Sequence, residues 1–290
     1  MLLAFGLIHL LFIWNGDILT EYALAGLVVL PLLLMRFSIL WVAALSLLTL
    51  YAAGPTLLHS IPWPDANTLQ QHVALANQVY SMGSLAEIWR FSLRELPLLL
   101  PLHILVFPRT LALFLFGALL WRSGILKRLR DLKYQITITA IIGIAGGTAL
   151  MAADAHGSLT HLGASRGLLM SLAPVILAFG YGAGVLALTQ LPVTGRLLSA
   201  CAPLGRMAFT NYVMQSVVFG FIFYGYGLGQ FGRMDATPAF ALGVAVYITQ
   251  MFLSTWWLRR YRFGPIEWLW RTLMYGTAQP MRAARLTPHV

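Results

Sequence analysis

The sequence predicts an all-α, polytopic transmembrane helical bundle, on three observations. The chain of 290 residues is 59% hydrophobic and only 10% charged, where a soluble domain carries about 25% charged residues. Its mean hydropathy is +0.77. Its apolar residues gather in runs of about 20, the length that crosses a bilayer. A soluble fold of this size has too few charges to cover so much apolar surface.

Taken in order, the first run, roughly 1–14, is short for a span and reads as the end of a helix. Seven further runs read as spans, at roughly 17–35, 37–58, 96–121, 135–153, 167–190, 203–228 and 237–258. Pro97, Pro101 and Pro108 interrupt the third of these, with His103 between them and Arg109 directly after. Proline kinks or breaks helices, so this run is either one tilted helix or a re-entrant piece followed by a helix. The pairs Gly143/Gly147, Gly163/Gly167 and Gly180/Gly184 have the spacing of close helix packing in apolar segments. A phosphate loop would need a preceding strand. Residues 1–258 are therefore expected to form the transmembrane domain. Its long outer loop, roughly 59–95, opens on the turn chemistry of Ser60 to Asp65 and continues in surface helices between Gln70 and Arg94. Residues 259–290, rich in Arg and Trp, are expected to form a cytoplasmic interfacial amphipathic helix and tail, with Pro265 at the helix start.

The net charge of +10 reflects loops rather than a nucleic-acid surface, because no basic stretch comes with a soluble module. Most of the 19 Lys and Arg fall on one side when the C-terminal tail is placed in the cytoplasm and each run crosses once. Basic loops stay inside, so about eight crossings with both termini cytoplasmic are expected. Cys201 is the one cysteine, which excludes an intramolecular disulfide. No His or Cys spacing suggests a metal. The N-terminus lacks the basic start of a cleaved signal peptide.

The polar break between the first two runs, from His9 through Asn15, Gly16 and Asp17 to Glu21 and Tyr22, is the first candidate site. Ionisable groups at bilayer depth are costly and mark function. With a helix starting near Gly16, Asp17 and Glu21 share one face. Capping of that helix by Asn15 or Asp17 is one reading. The other is an acid–base pair at a water-filled cavity, with His9 pointing back to Asp17 as a carboxylate-oriented general base. Asn211 and Gln215, with Thr210 and Ser216 alongside, form a second polar cluster inside the run 203–228. They read either as interhelical glue or as substrate-positioning amides. His103 reads as a hydrogen-bonded structural histidine, and His59, His72, His156 and His161 fall in outer loops.

Three motifs in order carry a resemblance. They are His9 with Gly16-Asp-Ile-Leu-x-x-Tyr22-Ala; Gly205-Arg-Met-Ala-Phe-Thr-Asn211-Tyr212-Val-Met-Gln215-Ser216; and Arg262-Phe-Gly-Pro-Ile-Glu-Trp-Leu-Trp-Arg271 through Gly276. A central block, Phe107-Pro-Arg with Gly117 and Arg122-Ser-Gly, accompanies them. With these the chain resembles the YeiB-like family of bacterial inner-membrane proteins, a domain of unknown function. That family has been labelled as transport proteins and is distantly similar to transmembrane acyltransferases such as heparan-glucosaminide N-acetyltransferase. The resemblance implies an inner-membrane protein that transfers an acyl group to an envelope glycan or small polar acceptor. The donor would be of acyl-CoA type, reached from the cytoplasm, with no bound cofactor. His9 would be the base and Asp17 its orienting carboxylate, with Glu21, Tyr22, Asn211 and Gln215 on substrate. The alternatives are a proton-coupled permease using Asp17 and Glu21, and a structural partner without activity alone. Family members carry further N-terminal helices with an LDxLRG-like motif, which do not precede His9. An N-terminal helical partner or a homo-oligomer is therefore expected beside the lipid bilayer.

Overall fold

The computed structural model describes residues 1–57 and 65–282; residues 58–64, where His59 and an expected turn fall, and 283–290 lie outside the described residues. The chain is all-α. Its helices are α1 (Leu2–Phe12), α2 (Leu19–Leu32), α3 (Phe37–Leu57), α4 (Ala66–Met82), α5 (Leu85–Arg122), α6 (Lys133–Ala155), α7 (Ala164–Thr189), α8 (Pro192–Ser199), α9 (Ala202–Arg206), α10 (Ala208–Phe223), α11 (Ala236–Leu258) and α12 (Pro265–Tyr275). The described residues contain no β-strand, only one isolated bridge between Tyr261 and Arg282. Five helices, α3, α5, α6, α7 and α11, are long and apolar enough to cross a membrane. Their outer faces carry Ile138, Ile141, Ile142, Phe240 and Phe252, all exposed. Apolar side chains displayed on helices of that length suit lipid, and this is a membrane protein.

Two expected runs change shape. Residues 96–121 are neither a re-entrant piece nor a helix of their own. They are the C-terminal two-thirds of α5, a continuous helix of 38 residues that passes through Pro97, Pro101 and Pro108. Residues 203–228 do not form one helix. Met207 leaves helical geometry at φ −118° and ψ 27°, so α9 stops at Arg206 and α10 starts at Ala208. At the other end the glycine-rich run from Tyr224 folds back on α10. The N–H groups of Leu228, Gln230 and Phe231 donate to the carbonyls of Phe221, Ile222 and Phe223. These are the carbonyls a helix end leaves unpaired. Gly229 and Gly232 take φ of +62° and +67°, which side chains resist and glycine accepts.

The chain divides into two compact units. One contains residues 1–20, 65–98 and 198–282; the other contains residues 21–57 and 99–197. In the first, Tyr80 of α4, Ile88 and Phe91 of α5 form a buried cluster, with Tyr224 and Phe231 of the glycine turn packed on it. Asp65 starts α4 by accepting the Thr68 N–H (2.8 Å) and hydroxyl (3.1 Å). Those two donors hold its carboxyl below the usual range. In the second unit Ala25 and Val29 of α2, Leu40 and Ala44 of α3, and Leu111, Leu115 and Leu119 of α5 form the core.

The same unit holds the α6–α7 hairpin, whose backbones meet at glycines. A Cβ on Gly143 would lie 2.6 Å from the Gly180 Cα, and one on Gly147 would lie 2.9 Å from the Leu177 Cβ. Gly184 is looser, with its nearest neighbour at 3.7 Å. Gly163 is no packing glycine: it turns the chain into α7 at φ +52°. Gly143→Val is expected to destabilise the protein by about 1–3 kcal/mol through overpacking. Thermal unfolding in detergent micelles reads this, with Gly146→Val, at a glycine with open space, as the unaffected control.

Candidate functional site

The site grows from the short link between α1 and α2. Helix α1 ends when the N–H groups of Ile13 and Trp14 both donate to the His9 carbonyl at 2.9 Å. Asp17 then stops the turn, and its Oδ2 accepts the Thr20 N–H at 2.7 Å. Helix α2 therefore starts at Leu19, after Asp17 rather than at Gly16, and Asp17 is its cap. Gly6 and His9, three apart, share one face of α1. Gly6 lets that face close on Thr20: a Cβ there would lie 2.6 Å from the Thr20 nitrogen.

Capping occupies only one oxygen of Asp17. Oδ1 lies 2.9 Å from His9 Nδ1 and accepts the Tyr212 hydroxyl at 3.2 Å. The imidazole contact has ion-pair distance but lies off the in-line direction of a hydrogen bond, and Nδ1 has no other partner among the described residues. On the far side of the ring, His9 Nε2 lies 2.9 Å from Ser216 Oγ. The Tyr212 ring packs on the imidazole with centroids 4.9 Å apart. His9 and Asp17 are 1% and 2% exposed.

The carboxylate assigns the tautomer. Oδ1 and Oδ2 both act as acceptors, so the ring proton belongs on Nδ1 and Nε2 is left with its lone pair toward Ser216. The single Ser216 proton then has two acceptors in reach, the Tyr212 carbonyl at 3.3 Å and His9 Nε2 at the shorter 2.9 Å, and rotation of the hydroxyl toward Nε2 gives it to the ring. A buried carboxylate, an imidazole and a hydroxyl in that sequence have the order of a relay that can abstract a proton.

Ser216 is also where the relay meets open space. It lies on the wall of a cavity of about 550 Å3 whose lining includes Trp14, Tyr212, Gln215, Phe219 and Phe231. A second cavity of about 140 Å3, lined in part by Asn15, Trp89 and Ser92, shares Ser216 and Trp14 with the first. His9 and Asp17 line neither.

The helix that bears Ser216 is held from two sides. Asn211 donates to Ser254 at 3.0 Å and to the Leu204 carbonyl at 3.4 Å. Gln250 donates to the Asn211 carbonyl at 3.0 Å, and Gln215 donates to Gln250 at 2.7 Å. Asn211 therefore ties α10 to α11 and does not line the large cavity, whereas Gln215 does both. At the start of α10, Glu267 of α12 accepts the Thr210 N–H at 2.9 Å and its hydroxyl at 2.5 Å. Thr210 in turn accepts the Ile266 N–H at 3.1 Å. A carboxylate at a helix N-terminus satisfies free N–H groups and suits the helix dipole. The Arg-Trp stretch thus clamps α10 in addition to its aromatic contacts, in which Arg271 lies 4.7 Å from the Phe263 ring centroid and Arg260 lies 4.6 Å from that of Trp256.

Glu21 and Tyr22 belong to the second unit. There Glu21 lies 3.2 Å from His103 Nδ1 and accepts the Thr110 hydroxyl, and Tyr22 meets Phe114 edge-on at 5.5 Å. Among the described residues no three His, Cys, Asp or Glu side chains cluster to hold a metal ion.

The sequence reading names Ser216 only as a neighbour of the amides and gives no role to Tyr212, which packs on His9 and donates to Asp17. The signal is a matter of phase. Asn211 and Gln215 share one helical face; Tyr212 and Ser216, each one residue on, share the next, rotated by about 100°. The amide face meets α11 and the hydroxyl face meets His9 and Asp17.

A family model described as "Protein of unknown function (DUF418)" matches residues 120–277, more than half of the chain. The uncharacterised protein YxaH of Bacillus subtilis (strain 168) is 33% identical, over 97% of this chain and 71% of its own length. The chain belongs to the DUF418 family. The uncharacterised protein YeiB of Escherichia coli (strain K12) is 29% identical over 97% of this chain and 75% of its own, so this DUF418 protein is YeiB-like. An uncharacterised 39.9 kDa protein from the amylase 3' region of Bacillus acidopullulyticus is 36% identical over 42% of the chain and 32% of its own. None of these descriptions states an activity. No solved structure matches the chain. Within this DUF418 protein the family match contains Tyr212, Ser216 and Glu267, while His9 and Asp17 precede it.

Proposed function

We propose that this DUF418 protein is a multi-pass inner-membrane acyltransferase, with about eight crossings and both termini cytoplasmic. The observation that carries the reading is the buried Asp17–His9–Ser216 chain, which ends in a hydroxyl at a largely apolar cavity. A relay of this kind removes a proton from an oxygen as that oxygen attacks a carbonyl carbon, and an apolar cavity suits an acyl chain. His9 acts as the base, Asp17 fixes its ring and tautomer, and Gln215 positions the substrate at the cavity wall. Asn211 holds the helix that bears Ser216. The donor is an activated acyl group of the acyl-CoA type, and the acceptor is a small polar molecule or envelope glycan.

Membranes containing the full chain, incubated with a radiolabelled acyl-CoA and candidate hydroxyl or amine acceptors, test this. Removal of a general base costs about 10²–10⁴-fold. His9→Ala is expected to lower transfer by that factor. Equal turnover by His9→Ala and wild type would remove His9 from the mechanism.

A further inference from the structure

We infer that acyl transfer runs through a covalent acyl-Ser216 intermediate, an inference that rests on the acyltransferase reading. The geometry that carries it is the separation of base from cavity. His9 is 1% exposed and lines neither cavity, and its Nε2 is taken up by Ser216 Oγ at 2.9 Å. Ser216 lines both cavities. A donor bound in the larger cavity therefore meets the Ser216 hydroxyl and not the imidazole. The oxygen from which His9 is placed to take a proton belongs to the protein.

The chemistry follows from that placement. As Ser216 Oγ attacks the acyl carbonyl carbon, its proton passes to His9 Nε2 and the Oγ–C bond forms. The donor's C–S bond breaks, and the leaving thiolate takes the proton from Nε2. Acylation leaves Oγ as an ester oxygen with no proton to give, so Nε2 is free for the acceptor. The acceptor's oxygen or nitrogen attacks the ester carbon, its proton passes to Nε2, the Oγ–C bond breaks, and Ser216 recovers the proton. Asp17 stabilises the imidazolium formed at each half-reaction. Phe219, Phe223, Phe231 and Met234 on the larger cavity wall provide the apolar lining for the acyl chain.

The test is labelling of the full chain in detergent micelles with a dodecyl fluorophosphonate, which phosphonylates activated serines, followed by peptide mass mapping. One adduct is expected, on Ser216, formed at least about 10-fold more slowly in His9→Ala. Acyl transfer by Ser216→Ala is expected to fall by at least about 100-fold. Wild-type protein that stays unlabelled at Ser216 would overturn the intermediate, whether or not Ser216→Ala folds. So would a folded Ser216→Ala that keeps turnover while His9→Ala loses it; that result leaves the acyltransferase reading standing. Labelled Ser216 in a protein that transfers no acyl group to any acceptor supports the nucleophile and removes the transferase reading instead.

Discussion

Asp17→Asn is expected to lower acyl transfer by about 10²–10⁴-fold while the protein stays folded. The carboxylate accepts two hydrogen bonds, from the Thr20 N–H on Oδ2 and the Tyr212 hydroxyl on Oδ1, and Oδ1 also lies at ion-pair distance from His9 Nδ1. An amide has one acceptor oxygen and one donor nitrogen. If its oxygen keeps the Thr20 cap, its NH2 faces His9, and Nδ1 must then accept. The ring proton moves to Nε2, and Nε2 donates to Ser216 instead of taking its proton. If the oxygen turns to His9, the NH2 opposes the Thr20 N–H and the α2 cap is lost, at a cost of about 1 kcal/mol. Turnover and thermal unfolding measured together separate the two. Wild-type turnover in Asp17→Asn would reduce Asp17 to a cap.

Glu267→Ala is expected to destabilise the protein by at least about 3 kcal/mol, since hydrogen bonds to a charged group contribute about 1.5–3 kcal/mol each and two are lost. Both go to Thr210. Without the carboxylate the first turn of α10 has an unsatisfied N–H, and α12 is detached from the helix that bears Tyr212 and Ser216. Glu267→Gln keeps an acceptor for the Thr210 N–H and is expected to lose about half as much. Denaturation of both variants in micelles checks the order. A Glu267→Ala protein as stable as wild type would show that α10 is held by α11 alone.

Much of the helical framework is legible from the sequence because apolar runs of membrane length have few other outcomes. Helices α3, α6, α7 and α11 begin and end within a few residues of the runs that announce them. Residues 203–228 misled because hydropathy averages over Met207 and over the glycines from Gly225 to Gly229. The backbone there closes α9 early and turns back to cap α10. At the site, the nearness of His9 to Asp17 is readable because a helix end and a tight break place them together. Ser216 is 207 residues from His9, and its phase on α10, one residue beyond the more conspicuous amides, is fixed only by which face α11 covers. Glu21 with His103, 82 residues apart, and Glu267 with Thr210, 57 apart, are likewise pairings that only tertiary packing decides.

The account depends on the direction in which the buried imidazole faces its proton. Solid-state 15N NMR of the full chain labelled at histidine, with His9→Ala identifying the resonance, reads that proton directly. The relay predicts a neutral ring protonated on Nδ1 and unprotonated on Nε2, with the proton moved to Nε2 in Asp17→Asn. A ring protonated on Nε2 in the wild-type protein, unchanged by Asp17→Asn, would contradict it.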